Sequence, residues 1–355
     1  MEGSPIDIVV FAPLAPILGV LLFWFLQLLF IESQKMQLNK IRSKHEPLCR
    51  FTNFLGILYQ NICHAFGYTV TKSGISDFYI SINYGKVAPK KEKKGIFEWI
   101  SNGFLFVGPF FLPAFLLLIY LFLLGFNGFS TNVPVNLVEL KYTFGGQIAT
   151  FGTNLYNFTN NLLNFLVNLD LLHPGQFGFL FFLIILGLGI RPSHIGEQKI
   201  DKVDMIYDLK NIWNLISHKP LYVVILFLLS YLIFYMSLLL NQSWYVQIFS
   251  ILGWVSIISI LALLITHCLI FLIRIADELT GIKKYLLYLT PIISYILARI
   301  LFHFIRIDYA YSTSLFMMIL STAIVCLLIL RNKTNKFKSK KDIKSKKNSK
   351  KGEKQ

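Results

Sequence analysis

Residues 244–273 read WYVQIFSILGWVSIISILALLITHCLIFLI and contain no Asp, Glu, Lys or Arg. The hydrocarbon core of a bilayer is about 30 Å thick, and a helix rising about 1.5 Å per residue crosses it in about 20 residues. The stretch therefore reads as a transmembrane helix. Working outward, Ile8–Ile31, Trp99–Phe126, Leu221–Leu240 and Tyr309–Leu330 are equally free of charge, and Tyr285–Ile305 carries only Arg299. With the shorter run Leu171–Ile190, the pattern predicts an all-α polytopic membrane protein of about seven spans.

Composition agrees. Of 355 residues, 55% are hydrophobic and 15% charged, against about 25% charged in a soluble domain. No basic residue precedes Ile8, unlike the positive start of a secretory signal peptide, so the first run reads as a retained span. Cys49, Cys63, Cys268 and Cys326 form no C-x-x-C pair. That removes zinc-knuckle and thioredoxin-like readings and predicts free thiols. No P-loop, G-x-G-x-x-G or G-x-S-x-G stretch is present. Residues 1–330 then form one membrane domain, followed by a tail, 331–355.

Charge sets the expected orientation. The net charge is +16, and the segment after Leu330 holds most of it, in a low-complexity run of Lys, Ser and Asn. Such a segment cannot bury a core and is expected to be disordered. Basic flanks stay cytoplasmic, which puts the tail inside. Glu32–Arg50, Lys72–Lys94, Arg191–Lys219 and Arg274–Lys284 are also basic, whereas Asn127–Asn168, Asn241–Ser243 and the turn near Asp308 are poor in Lys and Arg. Alternating these segments places the N-terminus outside and the C-terminus in the cytoplasm.

One element interrupts the alternation. Phe51–Val70 is uncharged, yet basic segments flank it on both sides. It reads as a partly inserted or re-entrant helix over Phe51–Phe66, ended by Gly67-Tyr68. From Tyr79 to Tyr84 apolar and polar residues alternate, and Gly74 and Gly85 punctuate the segment. That pattern predicts a short β hairpin, so residues 51–95 form a helix-plus-hairpin module. A strand with free edges cannot face lipid. The hairpin must lie at the interface, in water or against protein.

The order of these features carries a family resemblance. A helix ending in His64-Ala65-Phe66-Gly67-Tyr68, a hairpin, and a span containing Gly108-Pro109 together resemble the site-2-protease-like intramembrane zinc metallopeptidases, over about residues 51–109. In that family an H-E-x-x-H helix supplies two zinc-binding histidines and a glutamate that acts as general base. The aligned stretch here is Gln60-Asn61-Ile62-Cys63-His64. Only His64 matches. Gln60 replaces the first ligand, and Asn61 cannot take up a proton near neutral pH. The resemblance also implies a second motif carrying a metal-binding Asp, echoed only loosely by Asn168-Leu169-Asp170-Leu171-Leu172-His173-Pro174-Gly175. It therefore implies a non-catalytic derivative with no cofactor. A zinc site would have to draw on His64, Asp170 and His173. The role expected is holding a membrane-protein client in the groove between the Phe51–Phe66 helix, the hairpin and neighbouring spans, with edge-strand pairing supplying affinity.

Two other functions are open to the sequence. Arg299, His303 and Arg306 share a helical face, and intramembrane ionisable residues are candidates for binding lipid phosphate or a substrate anion. That would suit a transporter or lipid-handling protein. The simpler reading makes them interface anchors that snorkel to the headgroups. The basic tail would attract anionic lipid, or ribosomal RNA in a scaffold. Nothing in the chain points to DNA.

Overall fold

The computed structural model describes residues 4–82, 84–129, 141–190, 205–277, 279, 281–305, 309–329 and 331. The basic tail beyond Arg331, the start of the Arg191–Lys219 segment and Arg306 lie outside the described residues. The chain divides into two compact units, Met1–Phe165 with Leu171–His267, and Leu166–Asp170 with Cys268–Gln355.

The described elements are a π-helical turn Asp7–Phe11, then α1 (Leu14–Ile41), α2 (Glu46–Val70), β1 (Ile75–Ile80), β2 (Gly85–Pro89), α3 (Ile96–Phe106), α4 (Gly108–Leu123), α5 (Phe144–Val167), α6 (Pro174–Gly189), α7 (Met205–Ser217), α8 (Pro220–Leu239), α9 (Trp244–Ala276) and α10 (Ile282–Ile305). A last helix, α11, covers Ala310–Ile329. Proline stands in the first turn of α2, α4, α6 and α8, where its missing N–H costs nothing and its fixed φ favours helix entry.

Among the described residues five helices are long and apolar enough to cross a bilayer: α1, α8, α9, α10 and α11. A sixth is counted if α3 and α4, bent by 71°, form one broken span. This corrects the expectation of about seven. The run Trp99–Phe126 is not one straight rod, because Val107 ends α3 and Gly108-Pro109 starts α4. The run Leu171–Ile190 yields α6 of 16 residues, about 24 Å at ~1.5 Å per residue and so short of a ~30 Å core. The small antiparallel sheet β1–β2 is present as expected.

Two further differences have plain causes. The helix expected over Phe51–Phe66 runs from Glu46 to Val70. Gly67 does not break it. A Cβ there would come within 2.9 Å of Phe104 and 3.1 Å of Ser101, so Gly67 lets α2 and α3 touch. The turn falls at Lys72 (φ 53°) and Gly74 (φ 67°). The segment Asn127–Asn168, read as a connection, contains the 24-residue α5. Its frequent Asn, Gly and Thr hide a helix whose buried face recurs at Gln147, Thr150, Phe151, Asn154, Leu155 and Phe158.

In the first unit α1 and α9 run side by side in the same direction. The Tyr245 hydroxyl donates to the Pro13 carbonyl near their starts. Twenty-one residues further along each helix, the Thr266 hydroxyl donates to Gln34 Oε1 at 3.3 Å. Gln34 Nε2 in turn donates to the Gly187 carbonyl of α6 at 2.9 Å. Around Trp254, Phe158 stacks at 5.2 Å and Phe129 lies at 5.7 Å. At one end of the unit Asp7 accepts from Phe144 N–H at 3.1 Å and Lys141 donates to the Asn241 carbonyl at 3.0 Å. At the other, Glu32 accepts from Met205 N–H at 3.3 Å and Lys219 pairs with Glu98 at 3.2 Å. The first group joins segments poor in basic residues, and the second joins basic ones.

The second unit contains an antiparallel pair, α10 and α11, packed through Leu287, Val325, Cys326 and Ile329 around Ile275 and Ala276. Lys284 pairs with Asp277 at 3.4 Å beside this core. All four cysteines are free thiols. Burial pushes the Cys49 thiol up, with Arg42 opposing and Glu46 adding to the effect, as suits a packed residue whose Sγ donates to the Leu38 carbonyl at 3.7 Å.

Close helix contact at Gly187 makes a sharp test. A Cβ there would lie 2.2 Å from the Ala262 carbonyl oxygen, which is backbone and cannot swing aside. Gly187→Ala should destabilise the protein by about 1–3 kcal/mol. Gly103→Ala, in α3 with nothing within 4 Å, should stay within about 1 kcal/mol on the stabilising side. Thermal unfolding of the two purified variants compares them directly.

Candidate functional site

The site is built on α2, whose faces do different jobs. Asn53, Ile57 and Asn61 are four residues apart and form one stripe. Asn53 Nδ2 donates to the Ile82 carbonyl at 2.7 Å, and Asn61 Nδ2 donates to the Tyr79 carbonyl at 3.1 Å. Gly85 completes the fit, since a Cβ there would lie 2.4 Å from Asn61 and 2.6 Å from Ile57. Two amides thus clamp the hairpin onto the helix. Asn61 is 7% exposed, so its bond forms where water competes weakly.

A second stripe, Cys63, Gly67 and Thr71, faces α3 and α4. A Cβ on Gly108 would come within 3.0 Å of Cys63, which explains a glycine at the start of α4. The Thr71 hydroxyl lies 2.9 Å from Ser73 Oγ and 3.2 Å from Ser101 Oγ. Lys93 donates to the Thr71 carbonyl at 2.6 Å and lies 4.8 Å from the centre of the Phe97 ring. Lys90 and Lys91 close the hairpin base by donating their backbone N–H groups to Gly74 and Ser73. The hairpin is therefore pinned along its face and at its root.

Its outer surface is free. Phe78, Tyr79, Ile82 and Tyr84 are all exposed, and Lys86 pairs with Asp77 across the strands at 3.3 Å. A two-stranded sheet keeps one unpaired edge on each strand. On the far side of α2, Leu55, Tyr59 and Ile62 line an almost wholly apolar cavity of ≈ 420 Å³ shared with Pro113 and Leu116 of α4 and Phe182 of α6. The hairpin and this cavity lie on opposite sides of the helix.

The residues singled out in the sequence sit on several elements. Gln60 and His64 are half-buried on α2. The His64 ring lies against Tyr68 at 4.3 Å, and its buried Nε2 has no hydrogen-bond partner among the described residues. His173 is exposed and caps α6, its Nδ1 accepting from Gln176 N–H at 3.3 Å. In the second unit Asp170 lies 3.9 Å from Arg299, whose guanidinium covers the Tyr311 ring at 4.1 Å. Ser312 donates to Asn168 beside them at 2.6 Å. Arg299 is thus engaged with a carboxylate and a ring, while His303 is exposed on the same helix. Among the described residues no three His, Cys, Asp or Glu side chains are grouped so as to hold a metal.

Sequence reasoning missed the clamp itself. Asn53 carried no signal as a lone polar residue in an Asn-rich chain, and Asn61 drew notice only as a missing glutamate. The spacing Asn53–Ile57–Asn61, opposite a glycine in a strand, was the available clue. Searches against family models, curated proteins and solved structures return no match.

The clamp predicts a specific failure. Asn61→Glu replaces an N–H donor with a carboxylate facing the Tyr79 carbonyl, acceptor against acceptor. The hairpin should loosen, at a cost of about 1–3 kcal/mol, and trypsin should cut at Lys86 faster than in the parent protein. Asn61→Gln keeps a donor and should be cut at a rate between the two.

Proposed function

We propose that this protein is a non-catalytic membrane protein, derived from an intramembrane metallopeptidase, that holds a membrane-protein client at its hairpin. The observation that carries this reading is the bond from Asn61 Nδ2 to the Tyr79 carbonyl. In the resembled family the same position holds a base poised over metal-bound water. Here it holds a strand. An amide is not basic enough to take up a proton near neutral pH, and Gln60 beside it is a poor substitute for a histidine ligand.

The client contact falls on the hairpin's outer surface and its free strand edges. Backbone pairing with an extended segment supplies affinity without a metal, and alternate side chains of that segment meet Phe78, Tyr79 and Tyr84. Fixing the hairpin on α2 before the client arrives reduces the ordering cost of that encounter. In this reading α2 is partly inserted and the hairpin lies at the cytoplasmic interface. The N-terminus is outside and the basic tail inside, as the positive-inside rule favours. The grouping of Glu32, Glu98, Met205 and Lys219 at one end of the first unit supports that orientation.

Photocrosslinking residues placed at Tyr79 and Tyr84 should capture membrane-protein segments in cells, and Asn61→Glu should reduce the yield several-fold. Purified protein should cleave no peptide bond, and His64→Ala should leave capture unchanged. Stoichiometric zinc lost on His64→Ala, together with metal-dependent cleavage, would overturn the proposal.

A further inference from the structure

The first unit buries polar atoms that the clamp does not use. Gln147, Thr150 and Asn154 lie at i, i+3 and i+7 on one face of α5, none more than 3% exposed. Their amide orientations are fixed by their neighbours. Gln147 Nε2 donates to the Lys141 carbonyl at 2.7 Å. Asn154 Nδ2 donates to Ser250 Oγ at 3.1 Å, whose own proton goes to the Val246 carbonyl at 2.8 Å. The amide oxygens Gln147 Oε1 and Asn154 Oδ1, and Thr150 Oγ1 between them, have no hydrogen-bond partner among the described residues.

The pattern continues toward the middle of α1. Gln27 is 0% exposed, and neither its Oε1 nor its Nε2 has a partner among the described residues; Trp24 Nε1, one turn earlier, has none either. The shared register of α1 and α9, set by the Tyr245–Pro13 and Thr266–Gln34 contacts, puts Gln27 level with the buried Ser259. So many unmet polar atoms do not persist in an enclosed membrane interior without a ligand.

The chemistry of these atoms selects the ligand. It must donate to two amide oxygens on α5 and both donate to and accept from Gln27. A cation fits poorly at Gln147, which belongs to the first turn of α5, where the helix dipole is positive. The species that is neutral, able both to donate and to accept, and small is water. We propose that the unit holds bound water at two places, against Gln147, Thr150 and Asn154 on α5 and against Gln27 and Trp24 on α1. Such waters would answer polar groups at a depth where lipid offers no hydrogen bonds. This assignment is independent of the client-holding reading.

The test uses the full chain in lipid nanodiscs. Pulsed hydroxyl-radical labelling generates radicals from water where it sits. Phe151, 5% exposed between Thr150 and Asn154, should be labelled well above Phe179, which is 0% exposed on α6. Gln27→Leu and Asn154→Leu should each lower the melting temperature by a few degrees, because Trp24 in the first case, and Thr150 and Gln147 in the second, lose a water they share with the substituted residue. Equal labelling of Phe151 and Phe179 in the parent protein overturns the proposal whether or not the variants fold. A rise in melting temperature on either substitution overturns it as well, since an apolar side chain would then improve a merely unsatisfied site.

Discussion

Inside a bilayer every polar group must find its partner within the protein, and this constraint organises the chain. Lipid supplies neither donors nor acceptors, so an unpaired amide there costs several kcal/mol. The helices meet the demand for their own backbones. Polar side chains between helices are placed where a second helix can answer them, as Gln34 is answered by both Thr266 and Gly187. The hairpin is the exception, because its edges cannot face lipid. It is held on α2 by Asn53 and Asn61, so the two strands enter the fold through side-chain amides. Remove that pair of donors and the hairpin is held only at its root, by the contacts around Ser73, Gly74 and Thr71.

The same constraint explains the glycines at contacts. Backbones must approach closely for van der Waals packing to stabilise apolar helices that gain nothing from leaving water. Gly187 lies against Ala262, Gly108 against Cys63 and Gly67 against Ser101. Each stands where a methyl group would meet atoms with little room to yield. Gly67 thereby sets how closely α2 meets the body of α3, Gly108 how closely it meets the start of α4, and the bend between those two helices falls at the Gly108-Pro109 start.

Much of this was legible in the sequence, for a physical reason. Spans are long, uniform signals, so the runs ending at Ile31, Leu240, Ile273, Ile305 and Leu330 each correspond to a helix. The hairpin was legible because its alternation stands out against apolar surroundings. What stayed hidden depended on partners distant in the chain. The Asn-rich face of α5 looks like a loop until Ser250 and Trp254 are set against it. Gly67 looks like a helix stop until Phe104 and Ser101 occupy the space beside it. Asp170 and Arg299, noticed separately, lie within ion-pair reach although far apart in sequence. Gln60, Asn61 and His64 were found by their positions, but the sequence showed only what Asn61 lacks, whereas the fold shows what it does.

The parallel course of α1 and α9 carries a counting rule. Two helices that traverse a slab in the same sense must be separated by an odd number of traverses. Between them, α8 contributes one. If the bent pair α3–α4 contributes another, a third must come from among α2, α5 and α6, none of which qualifies by length and apolar content alone. Whatever the tally, the chain entering α1 and the chain leaving α9 lie on opposite faces of the membrane, a parity fixed by two hydrogen bonds at matched positions.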